Sequence, residues 1–175
     1  MTTTAGAAEP AMAGRKARMV PPVGAALMAV RYLLLLWGAN LAWEIAHLPL
    51  YALWREGGSF EIARAVLHCT AGDVLIGAAA LGAAVALTRA RCWPKKCFAD
   101  VAAVATAAGV AASVVLEWLN VEVWRNWACA EAMPRLPLLG TGLSPVLQWL
   151  LPPPLCLLAA RRQVGAAGRV LGRHP

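Results

Sequence analysis

The sequence predicts an all-α integral membrane protein, a four-transmembrane-helix bundle with a Pro/Gly-rich outer loop between helices 3 and 4. Three observations carry that reading. Hydrophobic residues make up 60% of the 175-residue chain and charged residues only 14%, with a mean hydropathy of +0.60, outside the range of ordinary soluble domains. Four segments, 31–54, 62–88, 98–124 and 143–160, are long and apolar enough to cross a hydrocarbon core of about 30 Å at about 1.5 Å per helical residue. The basic residues, finally, alternate between the two ends of those segments.

That alternation explains the net charge of +7. Arg15, Lys16 and Arg18 precede the first span; Arg89, Arg91, Lys95 and Lys96 join the second to the third; Arg161, Arg162, Arg169 and Arg173 follow the fourth. With both termini cytoplasmic, all three clusters fall on the inner side of a bacterial inner (plasma) membrane, as the positive-inside rule requires. Basicity here encodes topology rather than a nucleic-acid partner, and anionic lipid at the cytoplasmic flanks suffices as its counter-charge. Possession of one four-helix transmembrane domain, residues 23–160, leaves two basic cytoplasmic tails. Residues 1–22, small, polar and proline-bearing without a sustained period, read as disordered, and residues 161–175 form the other tail.

Each span carries polar residues that a lipid-facing helix would not keep. An ionised side chain at bilayer depth costs roughly 2.5–3.5 kcal/mol on insertion scales, so such groups face a bundle interior or a watery cavity. In the first span, Asn40, Glu44 and His47 recur at i, i+4, i+7 and form one stripe. Gly109, Ser113, Glu117 and Asn120 form a matching stripe on the third. His68 and Asp73 lie in the second span, five residues and about 140° apart on a helix, so one of them is expected to face elsewhere. Gln148 lies in the fourth. Measured from the helix ends, these groups fall in one layer in the outer half of the membrane. The shared layer predicts a shared site.

Within that layer, Glu44, Glu117, His47 and His68 are the expected catalytic residues. Two carboxyl groups in low dielectric favour one neutral and one charged member, as a proton donor and acceptor require, and histidine can relay between them. Asn40, Asp73, Ser113, Asn120 and Gln148 are expected to bind substrate, with Trp43, Trp118 and Trp149 walling the pocket beside them. Trp54, Trp124 and Trp127 read as an outer aromatic belt. A divalent metal is the candidate cofactor. Glu44-x-x-His47 has the i, i+3 spacing of carboxylate metal bundles, and with His68 and Glu117 it offers four ligands, although the third helix has Asn120 where a second histidine would complete a two-metal pattern.

Two further patterns bear on architecture. Asn40 to Trp54 reads N-x-x-x-E-x-x-H-x-x-x-Y-x-x-W, and Ser113 to Trp127 reads S-x-x-x-E-x-x-N-x-x-x-W-x-x-W, which fits either a duplicated hairpin or two similarly oriented helices with an aromatic end. The stretch from Met133 to Leu143, too apolar for a solvated loop and too broken for a helix, is expected to lie at the interface or to fold back over the bundle. Pro152, Pro153 and Pro154 should kink the fourth span. The five cysteines make no disulfide framework: Cys69 and Cys156 lie in spans, Cys92 and Cys97 in RCWPKKC, and Cys129 in the outer loop. The function expected is acid–base or metal-assisted conversion of a lipophilic small molecule. The rivals are a proton-coupled carrier or ion pathway, which four helices would complete as a homo-oligomer, and a structural or accessory subunit.

Overall fold

The computed structural model describes residues 23–90, 93–137 and 139–171, with residues 164–171 described as backbone only. The expected tail at 1–22, Arg91, Cys92 and Arg173 lie outside the described residues. Helix α1, Val23–His47, begins eight residues before the expected span and is followed by a 3₁₀ turn, Leu48–Leu50. The change of winding falls at Pro49, which has no N–H to continue an α-helical ladder. Tyr51 is then fully extended, and one turn of helix, α2 (Leu53–Glu56), leads to α3, Ser59–Leu87. At the start of α3 the Gly58 N–H donates to Glu61 Oε2 at 2.9 Å, satisfying an orphan donor of the first turn.

Helix α4, Phe98–Trp118, ends in a π-helical turn, Leu119–Val123, closed by Trp124 N–H to Leu119 O at 2.7 Å. The expected fourth span is two helices, α5 (Leu143–Leu150) and α6 (Pro152–Leu171). The break follows from Pro152, Pro153 and Pro154: three successive residues cannot donate to the carbonyls of Gln148, Trp149 and Leu150. Four helical stretches are long and apolar enough to cross a membrane, and among the described residues there is no β-strand.

The helices close into a ring. Helix α1 packs on α3 and α6, α3 on α4, and α4 on α5 and α6, so α1 and α4 stand diagonally opposite. Leu34, Leu67, Leu75, Leu87 and Leu155 point outward into an apolar exterior. The half of the ring nearer the basic loop is solidly filled by Met28, Tyr32, Leu36, Leu81, Ala84, Val101, Ala105 and Leu157. Two glycines permit this closeness. A Cβ at Gly77 would collide with the Leu36 side chain, and one at Gly109 with the six-membered ring of Trp149.

The opposite end is covered by chain rather than by core. Ala52 N–H donates to Ala128 O at 2.9 Å and Ala130 N–H to Leu50 O at 2.9 Å, which ties the segment after α4 to the α1–α2 connection. Leu136 N–H to Thr141 O (2.8 Å) and Leu143 N–H to Pro134 O (2.7 Å) then pair residues 134–136 with 141–143. Met133 is buried against Gly142 beneath it. Irregular backbone is thus satisfied by other backbone.

Candidate functional site

Beneath this cover lies a cavity of about 280 Å³, lined from every helix of the ring except α6. Its polar wall is built from α1 and α5. Gln148, buried on α5, extends its amide across the bundle and donates one N–H to Glu44 Oε1 at 3.0 Å and the other to Asp73 Oδ2 at 2.7 Å. One amide therefore holds carboxylates from two helices. The second oxygen of Glu44 meets His47 Nε2 at 3.1 Å, the i, i+3 pairing that the stripe on α1 sets up.

The other ring nitrogen, His47 Nδ1, lies 2.9 Å from Ser144 Oγ, and the same hydroxyl receives the Trp43 indole N–H at 3.2 Å. Indole only donates, so it takes a lone pair of Oγ and leaves the Ser144 hydroxyl proton free to point at Nδ1. In a neutral imidazole that order places the ring proton on Nε2, aimed at Glu44. Trp43, Ser144, His47, Glu44, Gln148 and Asp73 form one hydrogen-bonded chain.

Glu117 stands on the far wall, on α4, with 6% of its surface exposed. The Tyr51 hydroxyl donates to its Oε1 at 2.9 Å and the Trp127 indole to its Oε2 at 3.2 Å. Both donors come from the cover segments, Tyr51 from the extended residue after the 3₁₀ turn and Trp127 from the chain beyond the π turn. Burial first, and then the adjacent Glu117 carboxylate, push the Tyr51 phenol above its ordinary value, so it remains the proton-bearing partner. Ser113, one turn away from Glu117, donates to Pro145 O at 3.3 Å and fixes α5 against α4.

The expected residues fall into three groups. Glu44, His47, Asp73, Ser113, Glu117, Gln148 and Trp149 all line the cavity. His68 and Asn120 stand at its mouth: His68 is exposed, and Asn120 donates to Leu116 O at 2.8 Å while accepting from Asn126 at 2.7 Å. The remaining three are not on the cavity wall. Trp118 is 41% exposed and points out of the bundle, because it sits about 100° around the helix from Glu117. Trp43 acts behind the wall through Ser144. Asn40 is buried beneath Glu44, with neither amide atom hydrogen-bonded among the described residues.

Glu44 and Glu117, the two carboxyl groups expected to act as donor and acceptor, are held separately. They line the same cavity from diagonal helices, but Glu44 is bonded to His47 and Gln148, whereas Glu117 is bonded to Tyr51 and Trp127. The metal set of Glu44, His47, His68 and Glu117 is not assembled. Among the described residues no three His, Cys, Asp or Glu side chains are grouped to hold an ion. Glu44 and His47 turn their facing atoms on each other, and His68 is at the mouth. Trp127, read as an aromatic-belt residue, is instead a donor to a buried acid. Ser144 and Tyr51 were also not among the expected site residues.

The mouth opens into a larger, more polar vestibule. Leu53, Ala65, His68, Cys69, Asn120 and Trp127 line both spaces. Beyond them the vestibule carries Glu56, Glu61 and Glu122 together with Arg64, Arg125 and Arg135. Cys129 also lines it, with a thiol pushed above its ordinary value by burial and by the Glu117 carboxylate, against the opposing effect of Arg135. Compared with known proteins, the chain matches no family model, no curated protein and no solved structure.

Proposed function

We propose that this is a multi-pass protein of a bacterial inner membrane, its termini cytoplasmic, that performs acid–base chemistry on a lipophilic small molecule held in the cavity. The carrying observation is the chain from Ser144 through His47 and Glu44 to Gln148 and Asp73, which presents a histidine–carboxylate pair and a second carboxylate to one shared cavity. Such a pair can accept a proton at one atom of a substrate while Glu117, across the cavity, can return one at another when it has itself first taken up a proton from the vestibule side. Gln148 bridges and orients Glu44 and Asp73; Tyr51 and Trp127 orient Glu117. The apolar walls, Leu48, Val66, Ile76 and Leu116 among them, suit a substrate that partitions from lipid.

The filled half of the ring favours conversion over transport. Access runs through the vestibule at one end, while Met28, Tyr32, Leu36, Val101 and Leu157 pack the other. A carrier would need that core to open. The test is gentle extraction in lipid nanodiscs followed by mass spectrometry of co-purified small molecules, for the wild type, Glu44→Gln and His47→Gln. Loss of a retained lipophile from both variants, with thermal unfolding nearly unchanged, supports the reading. Retention of the same molecule in all three removes the chain from its role.

A further inference from the structure

The charge balance of the cavity is lopsided. Glu44, Asp73 and Glu117 enter it from three different helices, and no lysine or arginine lines it. Their hydrogen-bond partners supply no fixed positive charge either: Gln148, Tyr51 and Trp127 are neutral donors, and they stabilise a carboxylate without cancelling it. Among the described residues the one ion-pair geometry is that of His47 with Glu44. Three acids in one cavity therefore have at most two titratable cations against them, His47 and, at the mouth, His68, and the remaining charge must be met by protons or by a cationic occupant.

Acids alone would not name that occupant; the space between them does. The cavity, about 280 Å³, is organic in size, far larger than a bare ion requires. The side chains of Tyr51, Trp127 and Trp149 contribute aromatic surface to it, and aromatic faces attract organic cations, most strongly where water is excluded. The approach presents no barrier of net charge, because the three arginines of the vestibule are matched by its three glutamates.

Resting on the reading of this cavity as the substrate site, we infer that its substrate is a lipophilic organic cation, an amine or quaternary ammonium whose charged nitrogen lies among Glu44, Asp73 and Glu117 while its apolar body lies against Leu48, Ile76 and Leu116. The vestibule arginines stay outside, where they exclude nothing of this class. A neutral molecule of the same shape would leave the carboxylates to be neutralised by protons alone, and so would bind less tightly.

The experiment uses the full chain in nanodiscs of zwitterionic lipid, with empty nanodiscs as the control for partitioning. The probes are benzyltrimethylammonium and neopentylbenzene, its neutral carbon isostere, followed by tryptophan fluorescence and calorimetry. The cation is expected to bind at least about tenfold more tightly than the isostere, and Glu117→Gln or Asp73→Asn to weaken it by about tenfold while leaving the isostere unaffected. Ile76→Trp, which fills the cavity without replacing an acid, should abolish binding of both. Circular dichroism and thermal unfolding of each variant confirm that it is folded, and two separate acid variants protect against the failure of one. If the isostere binds as well as the cation and both are lost in Ile76→Trp, the cation assignment is overturned while the cavity remains the binding site. If cation binding survives Ile76→Trp, the cavity is not where it binds and both readings fall. If neither probe binds, the cation assignment is likewise overturned.

Discussion

Gln148→Leu removes the one amide that serves two carboxylates, and its consequence can be worked from the geometry. The wild-type bonds are 3.0 Å to Glu44 and 2.7 Å to Asp73, and Gln148 is 3% exposed, so no solvent replaces the lost donors. Hydrogen bonds to charged groups are worth about 1.5–3 kcal/mol each, which puts the upper bound for losing both at about 3–6 kcal/mol. The two acids have an escape. If one takes up a proton, it can donate to the other and recover part of the loss, so about 2–4 kcal/mol is expected at neutral pH. The escape also sets a pH dependence. Protons favour the variant's folded state relative to the wild type's, so the difference in stability should shrink as pH falls and grow as it rises. Reversible unfolding in mixed micelles, titrated with denaturing detergent across the pH range, measures both quantities. A variant within about 0.5 kcal/mol of the wild type at every pH would show that the amide bridge does not hold these acids together.

Four further outcomes follow from the structure. Gly109→Ala drives a methyl group into the Trp149 ring and should cost about 1–3 kcal/mol by overpacking, with Trp149→Leu in the same chain recovering most of it; thermal unfolding of the single and double variants reads the coupling. Tyr51→Phe should flatten the alkaline limb of the stability curve: the phenol's folded-state pKa is raised above its ordinary 10.0, so its contribution is present below about pH 10 and is lost as pH rises beyond that. Trp127→Phe removes the indole bond to Glu117 and should lower stability by about 1.5–3 kcal/mol, whereas Trp118→Phe, on the exposed face, should change it by less than about 0.5 kcal/mol; chemical unfolding separates the two. A membrane-impermeant maleimide applied to spheroplasts should spare exposed Cys97 and label a cysteine introduced by Ser59→Cys, also an exposed position; the opposite pattern reverses the orientation.

What was legible in the sequence was whatever depends on helical period. Asn40, Glu44 and His47 share a face because 3.6 residues per turn puts them there, and the same arithmetic placed Ser113 and Glu117 inside. It also explains why His68 and Asp73 separate, with Asp73 on the cavity wall and His68 at the mouth. Illegible were the partners that arrive from irregular chain. Trp127 reaches Glu117 only because a π turn and a left-handed Arg125, φ 53°, redirect the segment after α4. Ser144 reaches His47 because residues 141–143 pair back on 134–136 and deliver the start of α5 to the end of α1. No periodicity carries either fact. The matched patterns of the first and third spans likewise do not yield matched roles: Tyr51, from one, and Trp127, from the other, converge on the same Glu117, while Trp124, the counterpart of Tyr51, is exposed.

The division of the bundle into a filled half and a polar half has a physical reason that links stability to the site. Two buried acids, Glu44 and Glu117, and the half-buried Asp73 cost folding free energy, and neutral hydrogen-bond donors offset only part of it. The compensation must come from elsewhere in the same ring, and the packed half supplies it, where Gly77 admits Leu36 and Tyr32, Leu81 and Val101 complete the core. Gly109 stands at the boundary, since the Trp149 ring it accepts also lines the cavity. Trp149 is adjacent in sequence to Gln148, so the depth to which its ring seats fixes the position from which the amide reaches Glu44 and Asp73. A change that pushes this ring out by the width of a methyl group should therefore disturb the carboxylates without touching them. Gly109→Ala thus carries a second expectation beyond its cost in stability: a loss of ligand retention as large as that of Glu44→Gln, measured by the same nanodisc mass spectrometry. Normal retention in a destabilised Gly109→Ala chain would show that core and site are mechanically independent.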